Sequence, residues 1–209
     1  MDAPADCVRC PRLVESRRCV VNGYGDPHSY VWAVGQGPGR REEEQGRPFC
    51  GWSGEKLDYL LGLAGIVSVR YENVTRCRPP RRKTGDAPPS TAEIDACRSY
   101  LLAALAESPP ELVIAVGAPA GKWFAPALQL SRDHGRWFTW QHPETNESIT
   151  VVPMYHPASA HPTRNPSLAQ VLIEDFKRIP TWFPSPRGAA RLYRAVSEAG
   201  LEEFLWITP

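Results

Sequence analysis

No continuous apolar run in the chain approaches the roughly 18 residues that a membrane-spanning helix needs, so no span is expected. The opening residues, Met-Asp-Ala-Pro-Ala-Asp, lack the basic start and apolar stretch of a secretory leader, and a cytoplasmic protein is expected. In that compartment cysteine serves metals or catalysis more often than disulfides. Net charge is almost absent: 24 Lys and Arg against 23 Asp and Glu leave +1 at pH 7. Bulk charge therefore announces no nucleic-acid partner, and any such signal must lie in where the charges sit. There is no internal repeat. A dinucleotide fingerprint is missing too, because Arg40 stands where a third glycine should follow Gly35 and Gly37. Gly117 to Lys122 is one residue short of a P-loop, and Trp123 replaces its Mg²⁺-binding hydroxyl. The Asn146-Glu147-Ser148 sequon has no meaning in a cytoplasmic chain. His142, His156 and His161 are too scattered to make a zinc pattern.

What is present is a chain of 209 residues, 42% hydrophobic, long enough for one full core. Residues 30–34 and 112–116 read as buried strands, and 67–74 as a further strand. Residues 136–140 and 149–154 can pair across a turn-rich stretch. Residues 35–51 read as a polar loop, followed by a helix capped by Ser53, with Leu57, Leu60, Leu61 and Ala64 on one face and Gly65 at its end. Ser90 and Glu93 form a capping-box pattern ahead of a helix that turns Ile94, Cys97, Leu101 and Leu105 inward. A helix near Ala118 and another over 167–179 complete the pattern. Alternating strands and helices predict a three-layer α/β/α sandwich around a mainly parallel, four-stranded sheet. The domain is expected over 1–179. Residues 180–209, with one helical stretch over 189–199, are expected to pack on it as a C-terminal extension.

Of the 6 cysteines, Cys7, Cys10, Cys77 and Cys97 form a close pair plus two distant thiols, a pattern that gathers four ligands around one metal centre. Spacing alone allows either zinc or an iron–sulfur cluster. Cys19 is expected to pack and Cys50 to border a pocket. Arg76, Arg78, Arg81, Arg82 and Lys83 crowd one loop, which is either a solvated loop or an edge that contacts phosphates. The loops after Val34, Val74 and Met154 collect the unusual residues, at the strand ends where such sheets place their sites.

These strings, in this order, resemble the family 4 uracil-DNA glycosylases, the iron–sulfur branch of that superfamily. The resemblance covers residues 7 to 179. It rests on Cys7, Cys10, Leu13 and Arg17; on Gly35-Gln36-Gly37-Pro38-Gly39 with Glu42; and on Gly46-Arg47-Pro48-Phe49-Cys50-Gly51. Asn73-Val74-Thr75-Arg76-Cys77-Arg78-Pro79-Pro80, then Cys97, then Tyr155-His156-Pro157-Ala158 complete it. The family usually carries Glu where this chain has Gln36; family 1 enzymes have Gln there. Cys50 and Trp52 also depart from the family's commoner residues.

The resemblance implies a [4Fe–4S] cluster on Cys7, Cys10, Cys77 and Cys97, and a monomer acting on DNA that contains uracil or a modified pyrimidine. It implies a base pocket in which Phe49 stacks, Asn73 reads the base edge, and Gly37 and Gly39 admit the base. His156, Glu42 and Gln36 are the implied catalytic residues: His156 as donor to base O2, Glu42 or Gln36 to orient water. Arg47, Arg78, Arg81 and Arg164 are the implied DNA contacts. Reactions open to such a site are monofunctional release of uracil and release of a C5-modified pyrimidine, such as a hydroxymethylated or glucosylated phage base, in antiviral defence. Binding of DNA without cleavage is the third reading. No Leu occurs in 159–164, the segment expected to approach the duplex, so no wedge residue is assigned.

Overall fold

The computed structural model describes residues 2–83 and 85–183. In chain order its elements are α1 (Pro11–Ser16), β1 (Val31–Gly35), α2 (Arg40–Gln45), α3 (Trp52–Leu63) and β2 (Arg70–Asn73). A small hairpin, β3 (Arg81–Arg82) and β4 (Gly85–Asp86), precedes α4 (Thr91–Glu107), β5 (Leu112–Val116), α5 (Ala118–Phe124) and α6 (Leu130–Asp133). The chain then forms β6 (Phe138–Gln141), β7 (Ser148–Met154) and α7 (Pro166–Trp182).

Five strands make one sheet in the order β2-β1-β5-β7-β6. The first four run parallel, and β6 lies antiparallel on β7 as an edge. β1 and β5 are apolar at nearly every position and buried throughout, as parallel strands covered on both faces must be. Alternation sorts their side chains. Val31, Ala33, Leu112 and Ile114 meet Leu57, Leu60 and Leu61 of α3 and Leu172 and Phe176 of α7. Trp32, Val34, Val113 and Ala115 meet Leu101 and Leu105 of α4 and Trp123 and Phe124 of α5. This is the expected α/β/α sandwich, with five strands rather than four because β6 joins the same sheet as its partner β7.

Local expectations differ from the structure at several points. The polar stretch 35–51 is not all loop: Arg40–Gln45 is helical, started by Gly39 and ended by Gly46 at φ 68°. α3 begins at Trp52 after Gly51, so Ser53 lies inside the first turn rather than capping it. β2 starts at Arg70 rather than 67, since its partner β1 offers a parallel ladder only from Trp32 onward. The short helices α1 and α6 carried no readable period. The capping box on α4 is present, with Ser90 Oγ accepting from Glu93 N–H at 3.3 Å and Glu93 accepting from Ser90 N–H at 2.7 Å. α7, capped by Asn165 on Leu168 N–H at 3.2 Å, continues through Pro180. The expected helical stretch 189–199 lies outside the described residues, as does all of the extension beyond 183.

Candidate active site

The C-terminal ends of β1 and β2 lie side by side, with Gly35 opposite Asn73 in the ladder. Loops leaving these strands, together with the turn after β7, enclose one cleft. It is lined by Gly35, Gln36, Gly37, Gly39, Glu42, Phe49, Asn73 and His156, joined by Ser53, Asp86 and Ala158. All the catalytic and base-binding candidates therefore meet in one place. The sequence marked neither Ser53 nor Asp86 as a site residue: Ser53 read only as a helix cap, and Asp86 carried no signal.

Glycines let the walls close. A Cβ on Gly35 would stand 2.6 Å from Asn73 Oδ1 and 2.7 Å from the Phe49 ring, so the missing side chain is what brings amide and ring together. A Cβ on Gly37 would stand 2.4 Å from Thr75 Oγ1, and Thr75 donates to the Gln36 carbonyl from both its N–H and its hydroxyl, each at 3.1 Å. Gly35→Ala is expected to cost about 1–3 kcal/mol by overpacking and to reduce activity at least tenfold by displacing amide and ring. Thermal melts alongside single-turnover rates check both effects.

Phe49 is held in a backbone conformation that L residues rarely adopt, φ 52°. Two neighbours fix it. Glu42 Oε1 accepts the Phe49 N–H at 3.0 Å, and a Cβ on Gly54 would stand 1.7 Å from the Phe49 carbonyl oxygen. Glu42 also accepts the Gly39 N–H, so one carboxylate ties both ends of the loop. Gly39 thus has a role independent of any ligand, since a side chain there would meet that carboxylate. Burial pushes Glu42 above the usual carboxylate range, although the two N–H bonds work against the shift.

Asn73 is buried, and its amide makes no side-chain hydrogen bond among the described residues, so it is not a turn-stabilising asparagine. In His156, Nδ1 accepts the Ala158 N–H at 3.1 Å, which assigns the remaining ring proton to Nε2. Burial pushes its pKa below the usual histidine range and keeps the ring neutral. Cys50 does not line this cleft. It borders a second cavity behind Phe49, with Tyr24, Arg47 and Tyr71.

Cys7, Cys10, Cys77 and Cys97 line another small cavity with Arg17, Arg76 and Tyr100. α1 brings its cysteine pair to α4 through Arg12, which holds Glu93 at 2.8 and 2.5 Å. Arg17 Nη1 reaches Cys77 Sγ at 3.1 Å, and Tyr100 reaches Cys7 Sγ at 3.5 Å. Burial pushes Cys97 up to about 11 and raises Cys10 and Cys77. Burial also acts upward on Cys7, but hydrogen bonds from Arg9 N–H and Tyr100 and the Arg17 charge outweigh it and leave that thiol lowered. Arg76 is buried and paired on one side with buried Glu72, while its Nε and Nη2 have no partner among the described residues. No group of three or more His, Cys, Asp or Glu among the described residues is arranged to hold a metal ion, whereas the unanswered cationic donors beside four thiols suit an anionic occupant. Cys19 sits apart, its thiol on the Glu43 carbonyl at 3.2 Å.

The DNA-contact candidates divide. Arg81 and Arg164 are exposed. Arg47 is also exposed and lies over the Tyr24 ring at 5.3 Å. Arg78 is committed: it grips Asp86 through two bonds of 2.8 Å and reaches Glu43 at 3.4 Å, which fixes Asp86 at the cleft wall instead of leaving the guanidinium free for phosphate.

Comparison with known proteins bears on the family. The family described as the Uracil DNA glycosylase superfamily matches residues 22–177. A type-4 uracil-DNA glycosylase of Sulfurisphaera tokodaii is 32% identical over 83% of this chain and 78% of its own length. One from Thermotoga maritima is 33% identical over 82% of this chain and 86% of its own. A type-5 uracil-DNA glycosylase of Pyrobaculum aerophilum is 27% identical over 83% and 87%. With its sandwich, its cleft at the parallel strand ends and this match, the chain belongs to the uracil DNA glycosylase superfamily.

Proposed function

We propose that the chain is a monofunctional DNA glycosylase that extrudes uracil from DNA and hydrolyses its N-glycosidic bond, leaving an abasic site. The observation that carries this is the meeting, in one cleft, of a buried unbonded amide (Asn73), a ring face (Phe49) and a neutral imidazole with its Nε2 proton free (His156). A base inside a duplex is out of reach and must be flipped. Once flipped, it stacks on Phe49, and the Asn73 amide supplies one donor and one acceptor to the pyrimidine edge. As the C1′–N bond breaks, its electron pair moves into the base and charge gathers on O2. The Nε2–H of His156 and the backbone N–H groups near Gln36 and Gly37 are the donors for that charge. Water then adds to the sugar cation, with Gln36 or Glu42 orienting it. No lysine is among the described lining residues, which supports hydrolysis over a Schiff-base lyase.

We also propose that Cys7, Cys10, Cys77 and Cys97 hold a [4Fe–4S] cluster. The cluster would serve as a structural cross-link between the N-terminal segment, the β2 exit and α4.

The test is incubation of end-labelled uracil DNA with the protein, alkali treatment, and mass spectrometry of the freed bases. Alkali-dependent cleavage and free uracil are expected. Release only from DNA carrying C5-modified pyrimidines would overturn the uracil assignment, and no release from any substrate would overturn the enzyme.

The pH profile gives a second check. His156 titrates below the usual histidine range because burial disfavours its cation. The stability linked to its neutral form is present above the unfolded histidine pKa and is lost as pH falls through the folded one. Glu42, raised above the usual carboxylate range by burial, also gains a proton as pH falls, which weakens its hold on Gly39 and Phe49. Base release is therefore expected to fall as pH falls, with no loss on the alkaline side from either group. In His156→Ala the residual rate should keep only the Glu42 part of that limb. Full profiles of both proteins measure this.

A further inference from the structure

We propose that Trp52 and His161 form an aromatic platform that stacks on the DNA base next to the extruded nucleotide and fills the space it leaves. This inference rests on base extrusion, not on which base is removed. Trp52, the first residue of α3, is 41% exposed, whereas Trp32 and Trp123 are 1% and 4% exposed in the core. Its indole lies 4.9 Å from the His161 ring at an interplanar angle of 23°. The pair lies beside the cleft: Ser53, next to Trp52, and Ala158, three residues before His161, both line it.

The platform is preformed. His161 Nδ1 is engaged by Thr163 through its N–H at 3.3 Å and its hydroxyl at 2.9 Å. The His161 carbonyl accepts from Arg164 N–H at 3.1 Å and Asn165 N–H at 2.8 Å. The ring is thereby held against α3 by the turn that leads into α7. Cations flank the pair: exposed Arg164 follows His161, and the Arg41 side chain lies alongside Gly51, the residue before Trp52. Phosphates on either side of an unstacked gap would find both. The segment 159–164 contains no leucine or other large aliphatic residue to enter the duplex. Trp52 offers an exposed π-face here, and every base can stack on such a face.

The test uses a duplex in which 2-aminopurine neighbours a tetrahydrofuran abasic analogue, so it needs no knowledge of the base removed. Wild-type protein is expected to change the 2-aminopurine fluorescence on binding. Trp52→Phe should retain the change, and Trp52→Ala and His161→Ala should lose most of it. In a parallel assay, Trp52→Ala should lower base release from duplex at least tenfold but from single strands less than twofold. An unchanged signal in Trp52→Ala, no signal with wild type, or equal losses on duplex and single strands would overturn the platform. Absence of base release from any DNA would instead count against the glycosylase reading, with the fluorescence arm still deciding this one.

Discussion

Replacing His156 with alanine is expected to slow base release by roughly 10²- to 10³-fold, the usual cost of removing one donor aimed at developing negative charge. Two features would suit the ring to that proposed task. Ala158 N–H occupies Nδ1 and fixes the tautomer, and burial keeps the ring uncharged. A neutral donor aimed at O2 gains strength as charge accumulates there, so the loss should fall on the single-turnover rate and leave affinity for abasic DNA nearly unchanged. His156 lies on a turn outside the apolar clusters, so the melting midpoint should move by only a few degrees. Asn73→Ala should be similarly slow, and, if both groups act on one base as proposed, the double variant should be less impaired than the product of the two losses. Affinity falling in step with rate would assign His156 to binding rather than to the bond-breaking step.

Cys77→Ser is expected to lose most of the bound iron and its visible absorbance, and to unfold at a midpoint on the order of 10 °C lower. The reason lies in the surroundings of the thiol. Arg17 points a donor at Cys77, and Arg76 is buried beside it with two unpartnered donors. Breaking a buried charge arrangement of this kind costs about 3–5 kcal/mol. Cys19→Ser and Cys50→Ser, outside that cavity, should keep full iron. Iron analysis, absorbance spectra and thermal melts together decide the matter. Stoichiometric zinc in wild type, or undiminished iron in Cys77→Ser, would remove the cluster assignment.

Much of this site was legible because its residues come in short strings tied to strand ends. Gly35 and His156 each follow an apolar run that reads as a buried strand, while Asn73 closes a shorter, mixed one, and parallel strands bring such ends together. That the four cysteines line one cavity was legible for a different reason, since a close pair plus two distant thiols is a spacing that can gather four side chains in one place. What escaped was pairing between distant side chains. Arg78 belongs to a row of cations that looked available to phosphate, yet Asp86 and Glu43 claim it. Nothing local distinguishes it from exposed Arg81. Trp52 and His161 are separated by most of the chain, and their contact depends on how α3 and the turn before α7 meet. The helix Arg40–Gln45 was hidden among charges with no apolar period, and it owes its start to one carboxylate folding back on Gly39.

Asn73 and Cys77 stand four positions apart on one stretch of chain, and Val74, Thr75 and Arg76 between them are all buried. That stretch acts as a fixed-length ruler. One inserted or deleted residue would turn every later side chain toward the opposite wall, and neither end has slack to absorb the change. Variation in chain length among related proteins should therefore collect elsewhere, next to the exposed strands β3 and β4 and in the turn around Pro162. The spacing from Asn73 to Cys77 should stay constant even where the residues between them change.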